Sequence, residues 1–272
     1  MEVIVLPTAD AASDFVARVI GSEVRVNPRI VLGLATGCTM ETVYAALARM
    51  HAEERLDFSQ CRTFNLDEYV GLGAGDPHSY RTYMNHHLFQ KVNIRLENTH
   101  IPDGTAADLE AECANYERVI TEAGGIDLQL LGIGWTGHLG FNEPLTALRS
   151  RTHVKTLWPL TREQNAPLFA GPDEVPRRAI TMGVGTILDS RRCLLLATGG
   201  DKADIVAKAV EGPVTSMIAA SALQLHPDCA IVLDEAAGAR LAGAEQYRWA
   251  FENEPKWDSF RAVHNRRVES HR

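Results

Sequence analysis

Two adjacent carboxylates are the first residues in this sequence whose position could support proton-transfer chemistry. Asp67 and Glu68 follow a predicted strand, residues 61–66, and precede Gly71. A carboxylate at the end of a strand suits a general base, although a solvated acidic turn would have the same composition. Asp67 is therefore a candidate base.

His138 and Glu143 lie in a second candidate segment, residues 131–144. Histidine is the side chain that moves protons most readily near neutral pH, and a nearby carboxylate can orient it and favour its charged form. A buried structural histidine is the alternative. The segment also contains glycines, which let a backbone approach a ligand closely and so favour a catalytic role: Gly132, Gly134, Gly137 and Gly140.

Anion binding is the second kind of chemistry that the sequence indicates. Thr36-Gly37-Cys38-Thr39 opens a predicted helix, where free backbone N–H groups and the helix dipole favour an anion. Lys202 lies in the first turn of another predicted helix, where its charge opposes the dipole unless an anion is near. A capped turn and a solvent-facing lysine are the structural alternatives.

Alternating strands and helices must position these residues. The patterns predict strands over 2–6, 29–35, 61–66, 127–133, 152–157, 179–183, 193–197 and 229–233, and helices over 9–21, 41–54, 78–89, 108–121, 161–169 and 201–210. This order predicts an α/β fold, with a doubly wound, mostly parallel, Rossmann-like sheet and helices on both faces. Ligands of such sheets bind outside the carboxyl ends of the strands, where every candidate segment falls.

Length, composition and charge limit the class of protein. We expect one domain over residues 1–250 and a polar, basic C-terminal tail over 251–272. The net charge of −8 argues against a nucleic-acid partner but not against an anionic small substrate. Five cysteines without a CxxC pair favour a reduced, cytoplasmic location. Neither a metal-ligand spacing nor a membrane-spanning apolar run occurs in the sequence.

Two segments resemble the signatures of the glucosamine-6-phosphate deaminase family: 64–72 (FNLDEYVGL) and 137–144 (GHLGFNEP). Shorter similar segments bring the resemblance to about residues 30–235: 150–152, 182–188, 209–212 and 223–227. The resemblance implies a small amino sugar phosphate as the partner and no metal or organic cofactor. Members of the family occur as monomers and as hexamers, so homo-oligomerisation stays open.

The resemblance also implies a role for each candidate. Asp67 would carry a proton between C2 and C1 of the open-chain sugar, and His138 would open the pyranose ring by moving a proton at the ring oxygen. Glu143 would orient and charge the imidazole. The enolamine would become an imine, and water would release ammonia to leave fructose 6-phosphate. The phosphate would lie at residues 36–39 and Lys202, with Gly137 also in contact with substrate.

Three segments depart from the family pattern. Thr136 stands where an Asp or Asn normally helps to hold the histidine, and Cys38 and Met40 alter the phosphate turn. Pro167 stands where a phosphate-binding arginine is expected. Losing a bidentate arginine–phosphate contact would weaken binding by roughly ten- to a hundredfold, since hydrogen bonds to charged groups are worth about 1.5–3 kcal/mol. Arg162, Arg177 or Arg178 could substitute for the missing arginine.

Three alternative functions follow from the same residues. The chemistry could act on an amino sugar without the 6-phosphate or with another group there. A 6-phosphogluconolactonase-like hydrolase would need the Gly-His step but not Asp67 or the Phe-Asn-Glu-Pro run. A sugar-phosphate sensor would carry a helix-turn-helix ahead of the domain, whereas this chain is expected to start at its first strand.

Overall fold

A computed structural model describes residues 1–261 and contains a large sheet in which every strand pair is parallel. The predicted doubly wound, mostly parallel architecture is confirmed. In spatial order the strands are β1 (Glu2–Leu6), β10 (Cys229–Asp234), β9 (Arg192–Ala197), β6 (Leu128–Leu131), β2 (Val31–Leu34), β3 (Arg62–Asn65) and β5 (Thr99–His100).

A smaller antiparallel sheet, which the sequence did not predict, lies beside the large one. It contains β4 (Asp67–Tyr69), β8 (Arg178–Thr181) and β7 (His153–Thr156) in that order. Asp67 and Glu68, which were expected to follow a strand ending at residue 66, instead open a new strand, so the alternative of a solvated acidic turn is excluded. Leu66 N–H still bonds to the large sheet at the Leu34 carbonyl, but Asp67 already pairs with Thr181 of β8.

Helices pack around the large sheet. They are α1 (Ala9–Val26), α2 (Cys38–Glu54), α3 (Tyr80–Met84), α4 (Leu109–Glu122), α5 (Pro159–Asn165), α6 (Val184–Leu188), α7 (Ala203–Glu211) and α8 (Ala244–Asn253). The predicted helix over 78–89 is α3 continued by a π-helical turn, Asn85–Phe89. The predicted helix over 161–169 is α5 followed by a short 3-10 turn, Ala166–Leu168, which contains Pro167.

The C-terminal segment packs onto the domain instead of leaving it. Trp257 is only 2% exposed; its ring centroid lies 5.4 Å from that of Phe15 in α1, and its indole N–H donates to Glu2 at 2.7 Å. Phe251 and Phe260 contact the same Phe15 ring. The packed structure therefore extends beyond the predicted boundary at residue 250. The rest of the predicted tail, residues 262–272, lies outside the described residues.

The switch point of the sheet lies between β2 and β6. From β2 the chain continues to β3 and β5 on one side, whereas from β6 it continues to β9 and β10 on the other. Loops that leave two such strands diverge and open a crevice at their carboxyl ends. The segments 36–39 and 132–144 leave β2 and β6 at this point. No helix within residues 1–261 is long and apolar enough to span a membrane.

Candidate active site

The turn from β2 into α2 presents free backbone N–H groups at the switch point. Gly37 adopts φ 110°, in the left-handed region, and no side chain caps the 17-residue helix that follows. Two tyrosines hold the turn from behind, the half-buried Tyr83 and the buried Tyr44. Tyr83 donates to the Gly37 carbonyl at 2.8 Å, and Tyr44 donates to the Ala35 carbonyl. This geometry suits an anion, because the N–H groups of the first helical turn lack partners within the helix.

Asp67 is a buried carboxylate without a hydrogen-bond donor. Its exposure is 5%, and no donor among residues 1–261 reaches its side-chain oxygens. Burial, and after it the charge of Glu68, raises the pKa of Asp67 well above its usual value of 3.8. A desolvated carboxylate with a raised pKa is a stronger base than one in water.

Glu68 has opposite surroundings, although it is the next residue. Its carboxylate accepts from the backbone N–H groups of Tyr69, Tyr80 and Arg81 at 2.8, 3.0 and 3.1 Å. Burial raises its pKa to about 7, and these hydrogen bonds oppose the rise. Glu68 thus anchors the start of α3 to β4, and Asp67 alone keeps its oxygens free.

The imidazole of His138 is buried and is held by Thr136. The Thr136 hydroxyl lies 2.8 Å from His138 Nδ1. Gly134 leaves room for the ring, since a Cβ there would lie 1.9 Å from Nε2. Burial, and then the Lys202 ammonium, lowers the pKa of His138 to about 4, so the imidazole is neutral near pH 7.

Glu143 is fully buried but does not contact the imidazole through a hydrogen bond. Its Oε1 accepts from the Trp158 N–H at 2.8 Å, and its Oε2 has no partner within residues 1–261. The expectation that Glu143 orients His138 and keeps it charged is therefore not met by the contacts of the described chain. Thr136 takes the orienting position.

Glycine at position 140 brings the His138 segment against Asp67. Gly140 has φ 56°, and a Cβ there would lie 3.1 Å from Asp67 Oδ2 and 2.8 Å from Thr181 Oγ1. Gly137, with φ 79°, packs closely on Ile218, because a Cβ there would lie 2.6 Å from its side chain. The structure thus joins the two predicted catalytic segments at one place.

Trp135 is a site residue that sequence reasoning missed. The ammonium of Lys202 lies 5.8 Å from the centre of its indole ring, and the indole N–H donates to Asp201 at 3.1 Å. The Trp135 backbone N–H donates to Gln164 of α5 at 3.0 Å. Trp135 therefore ties the Lys202 turn to α5. In the sequence, a tryptophan inside a glycine-rich segment could have indicated this residue.

The structure tests whether a nearby arginine replaces the one missing at Pro167. Pro167 is exposed at the 3-10 turn. Arg162 is occupied, since its guanidinium donates to the Val175 and Pro172 carbonyls at 3.1 and 2.6 Å. Lys202 and residues 36–39 remain candidate anion-binding groups of the crevice. Arg177 and Arg178 are exposed and make no side-chain hydrogen bond within residues 1–261.

The fold and the site together define an α/β protein with an uncapped helix start, a buried carboxylate and a neutral imidazole at the switch point of its sheet. Residues 7–231 match the family model described as glucosamine-6-phosphate isomerases/6-phosphogluconolactonase. The chain belongs to this family, which confirms the resemblance in its sequence.

Relatives inside the family lie on the deaminase side. The glucosamine-6-phosphate deaminase of Arthrobacter sp. (strain FB24) is 48% identical over 94% of this chain and 99% of its own. A solved structure of a monomeric glucosamine-6-phosphate deaminase is 46% identical, with a TM-score of 0.87 over 88% of this chain and 100% of its own. The 6-phosphogluconolactonase from Trypanosoma cruzi shares the fold, with 19% identity and a TM-score of 0.70 over 89% and 97% of the two chains.

Proposed function

We propose that this protein converts glucosamine 6-phosphate into fructose 6-phosphate and ammonia. The observation that carries the proposal is the buried Asp67 carboxylate, which lacks a hydrogen-bond donor and lies against the segment that holds His138. Lactone hydrolysis would have no use for this base. The similarity to deaminases over more than nine-tenths of the chain supports the same reaction.

The chemistry requires proton transfers at two places, the ring oxygen and the C2–C1 bond. His138, neutral near pH 7, moves a proton at the ring oxygen and opens the pyranose. Asp67 then removes the proton from C2 of the aldehyde form, which leaves an enolamine, and returns it to C1. The product is an imine at C2. Water adds to this imine and expels ammonia, which leaves the ketose.

The phosphate end of the substrate lies at the turn into α2. The N–H groups of Cys38 and Thr39 and the hydroxyl groups of Thr36 and Thr39 donate to the phosphate oxygens. Lys202, in the turn after β9, supplies the opposite charge. Trp135 acts as a positioning residue, because its indole covers the Lys202 ammonium and its N–H groups fix the two flanking segments.

The substitution Asp67→Asn tests the role of Asp67 as the base separately from its effect on stability. We expect Asp67→Asn to abolish ammonia release and the exchange of the C2 hydrogen with solvent, while the sugar phosphate still binds. Burial raises the pKa of Asp67 above 3.8, so the wild-type protein loses stability as the pH rises above this value. The variant has no carboxylate to ionise and should be at least as stable as the wild type at pH 7. The measurements are an ammonia assay, exchange in deuterium oxide and thermal unfolding.

Asp76→Asn is the control, because Asp76 is a solvent-accessible carboxylate of the following loop and lies outside the site. It should leave ammonia release unchanged. Near-wild-type turnover by Asp67→Asn would remove Asp67 from the mechanism.

An amino sugar without phosphate is the second candidate substrate, and the position of Arg162 is the observation in its favour. Pro167 carries no charge and the Arg162 guanidinium is bonded to carbonyls, so neither position supplies an arginine to the phosphate. We expect glucosamine 6-phosphate to be turned over with the higher kcat/KM, because Lys202 and the α2 turn remain. Equal or faster ammonia release from free glucosamine would contradict the phosphorylated substrate. Hydrolysis of 6-phosphogluconolactone in the same preparation would point to the other branch of the family.

A further inference from the structure

A basic cavity lies at the amino edge of the large sheet, opposite the candidate active site. Its volume is about 360 Å³. Its polar lining comes from the segments that precede β2, β3 and β5 and from the first residue of β3, whereas the active site follows the carboxyl ends of the strands. We call it the arginine cavity, after the residues that line it: Arg29, Arg62 and Arg95, with Ser59, Gln60 and Asn98.

The charges of the three arginines are not balanced by the described chain. None of Arg29, Arg62 and Arg95 forms an ion pair within residues 1–261. The guanidinium of Arg29 donates only to the neutral Gln60 side chain within residues 1–261, at 3.2 Å. No Asp or Glu lines the cavity. The three guanidinium groups are thus left facing a carboxylate-free space.

Arg62 provides a second observation. It is half-buried at the start of β3, and its guanidinium has no hydrogen-bond acceptor within residues 1–261. A charged group removed from water without a partner lowers stability, and neighbouring like charges add to the cost. Asp127, which accepts from the Val31 N–H beside the cavity, is already paired with Arg191. An anion in the cavity would offset the cost.

The chemistry of the lining selects the class of ligand. Guanidinium groups match phosphate oxygens in pairs of parallel hydrogen bonds, and serine, asparagine and glutamine side chains add neutral donors. Ligand pockets in proteins begin at about 300 Å³, so a cavity of this size holds a small ligand. The local positive charge is also unusual on a protein with a net charge of −8.

We propose that the arginine cavity is a second anion site, which binds a small phosphate-bearing molecule at the edge of the sheet opposite the active site. The site is separate from the proposed reaction, so it can fail while the proposed function stands. A molecule bound there would bridge the starts of β2, β3 and β5.

The test is calorimetric titration of the full chain with pyrophosphate at low ionic strength. We expect two binding events for the wild type, one in the arginine cavity and one at the Lys202 turn. The double variant Arg62→Gln, Arg95→Gln should lose the first, with at least a tenfold weaker association, and should keep ammonia release unchanged. Lys202→Gln should lose the second.

Arg118→Gln is the matched control, because Arg118 is an exposed arginine on α4 outside the cavity and its loss changes the net charge in the same direction. It should retain both binding events. Equal binding by the double variant and the wild type would overturn the proposal, and so would an equal loss in the Arg118 variant. Arg95→Gln alone serves if the double variant does not fold, since Arg95 is exposed, and unchanged binding by this single variant would also overturn the proposal.

Discussion

Asp67 and Glu68 are neighbours in sequence with opposite chemical surroundings. Successive side chains of a strand point to opposite faces, and these two residues open β4. One face brings Glu68 onto three backbone N–H groups at the start of α3. The other leaves Asp67 buried without a donor. The alternation of side chains along the strand therefore makes Glu68 a structural carboxylate and leaves Asp67 as the candidate base.

The pH dependence of activity should reveal this division. A base must be ionised, so kcat/KM falls as the pH drops through the pKa of Asp67, which lies above 3.8 because of burial and the charge of Glu68. We expect Glu68→Gln to move the acidic limb of the pH–rate profile to lower pH, since one cause of the raised pKa is removed. The measurement is kcat/KM for ammonia release between pH 4 and 9.

The same variant should be less stable, because a glutamine amide would face the Arg81 N–H where a carboxylate oxygen now accepts. The expected loss is about 1–3 kcal/mol. Asp10→Asn, at an exposed carboxylate of α1, should change neither the profile nor the stability. An acidic limb that stays in place in Glu68→Gln would show that the charge of Glu68 does not reach the base.

At the scale of elements, the glycine-rich segment after β6 decides how the site is assembled. It carries Thr136, His138 and Glu143, and it passes Asp67 at Gly140, where no side chain intervenes. Asn142 fixes the end of the segment by donating to the Leu139 and Met182 carbonyls at 2.8 and 2.7 Å. The approach to Asp67 depends on one backbone conformation with a positive φ.

Replacing Gly140 by alanine should therefore damage activity more than stability. A Cβ would meet Asp67 Oδ2 at 3.1 Å and Thr181 Oγ1 at 2.8 Å, so the base or the segment must shift. We expect at least a tenfold loss of kcat, with about 1–2 kcal/mol of destabilisation from the left-handed backbone. Steady-state kinetics and urea unfolding measure the two effects.

Gly124→Ala is the control that measures the cost of a left-handed backbone away from the candidate active site. Gly124 has φ 89° before β6, with nothing within 4 Å of an added Cβ. It should lose a similar amount of stability and keep full activity. If Gly140→Ala retained wild-type kcat, the segment would not need its close approach to Asp67.

At the scale of the whole molecule, the C-terminal segment belongs to the packed domain. Trp257 is buried against Phe15 of the first helix, so the two ends of the described chain support each other. We expect Trp257→Ala to lower the free energy of unfolding by about 3–5 kcal/mol, the cost of removing a large buried aromatic side chain. Chemical denaturation followed by circular dichroism is the measurement.

Trp249→Ala is the matched control on α8, because Trp249 is 67% exposed. It should change stability by less than about 0.5 kcal/mol. Equal midpoints for the two variants would show that the C-terminal segment does not stabilise the domain.

Periodicity and strand-end chemistry determined much of this protein from the sequence alone. The buried apolar runs specified most of the parallel strands, because a strand covered on both faces is mostly apolar. The short edge strand β5, Thr99–His100, has no such run and was not predicted. The position of Asp67, His138 and residues 36–39 after those strands placed them at one edge, because parallel strands share their carboxyl ends. Both inferences use local patterns, which a sequence records directly.

Only the tertiary structure decided which side chains meet. Thr136, not Glu143, lies against His138 Nδ1, and Glu143 instead accepts from Trp158. The Thr136–His138 contact is local, but Trp158 follows β7, so its contact with Glu143 depends on how the small antiparallel sheet lies beside the glycine-rich segment. Sequence therefore identified the candidate base and imidazole, whereas burial and long-range hydrogen bonds set the protonation state and the partner of each.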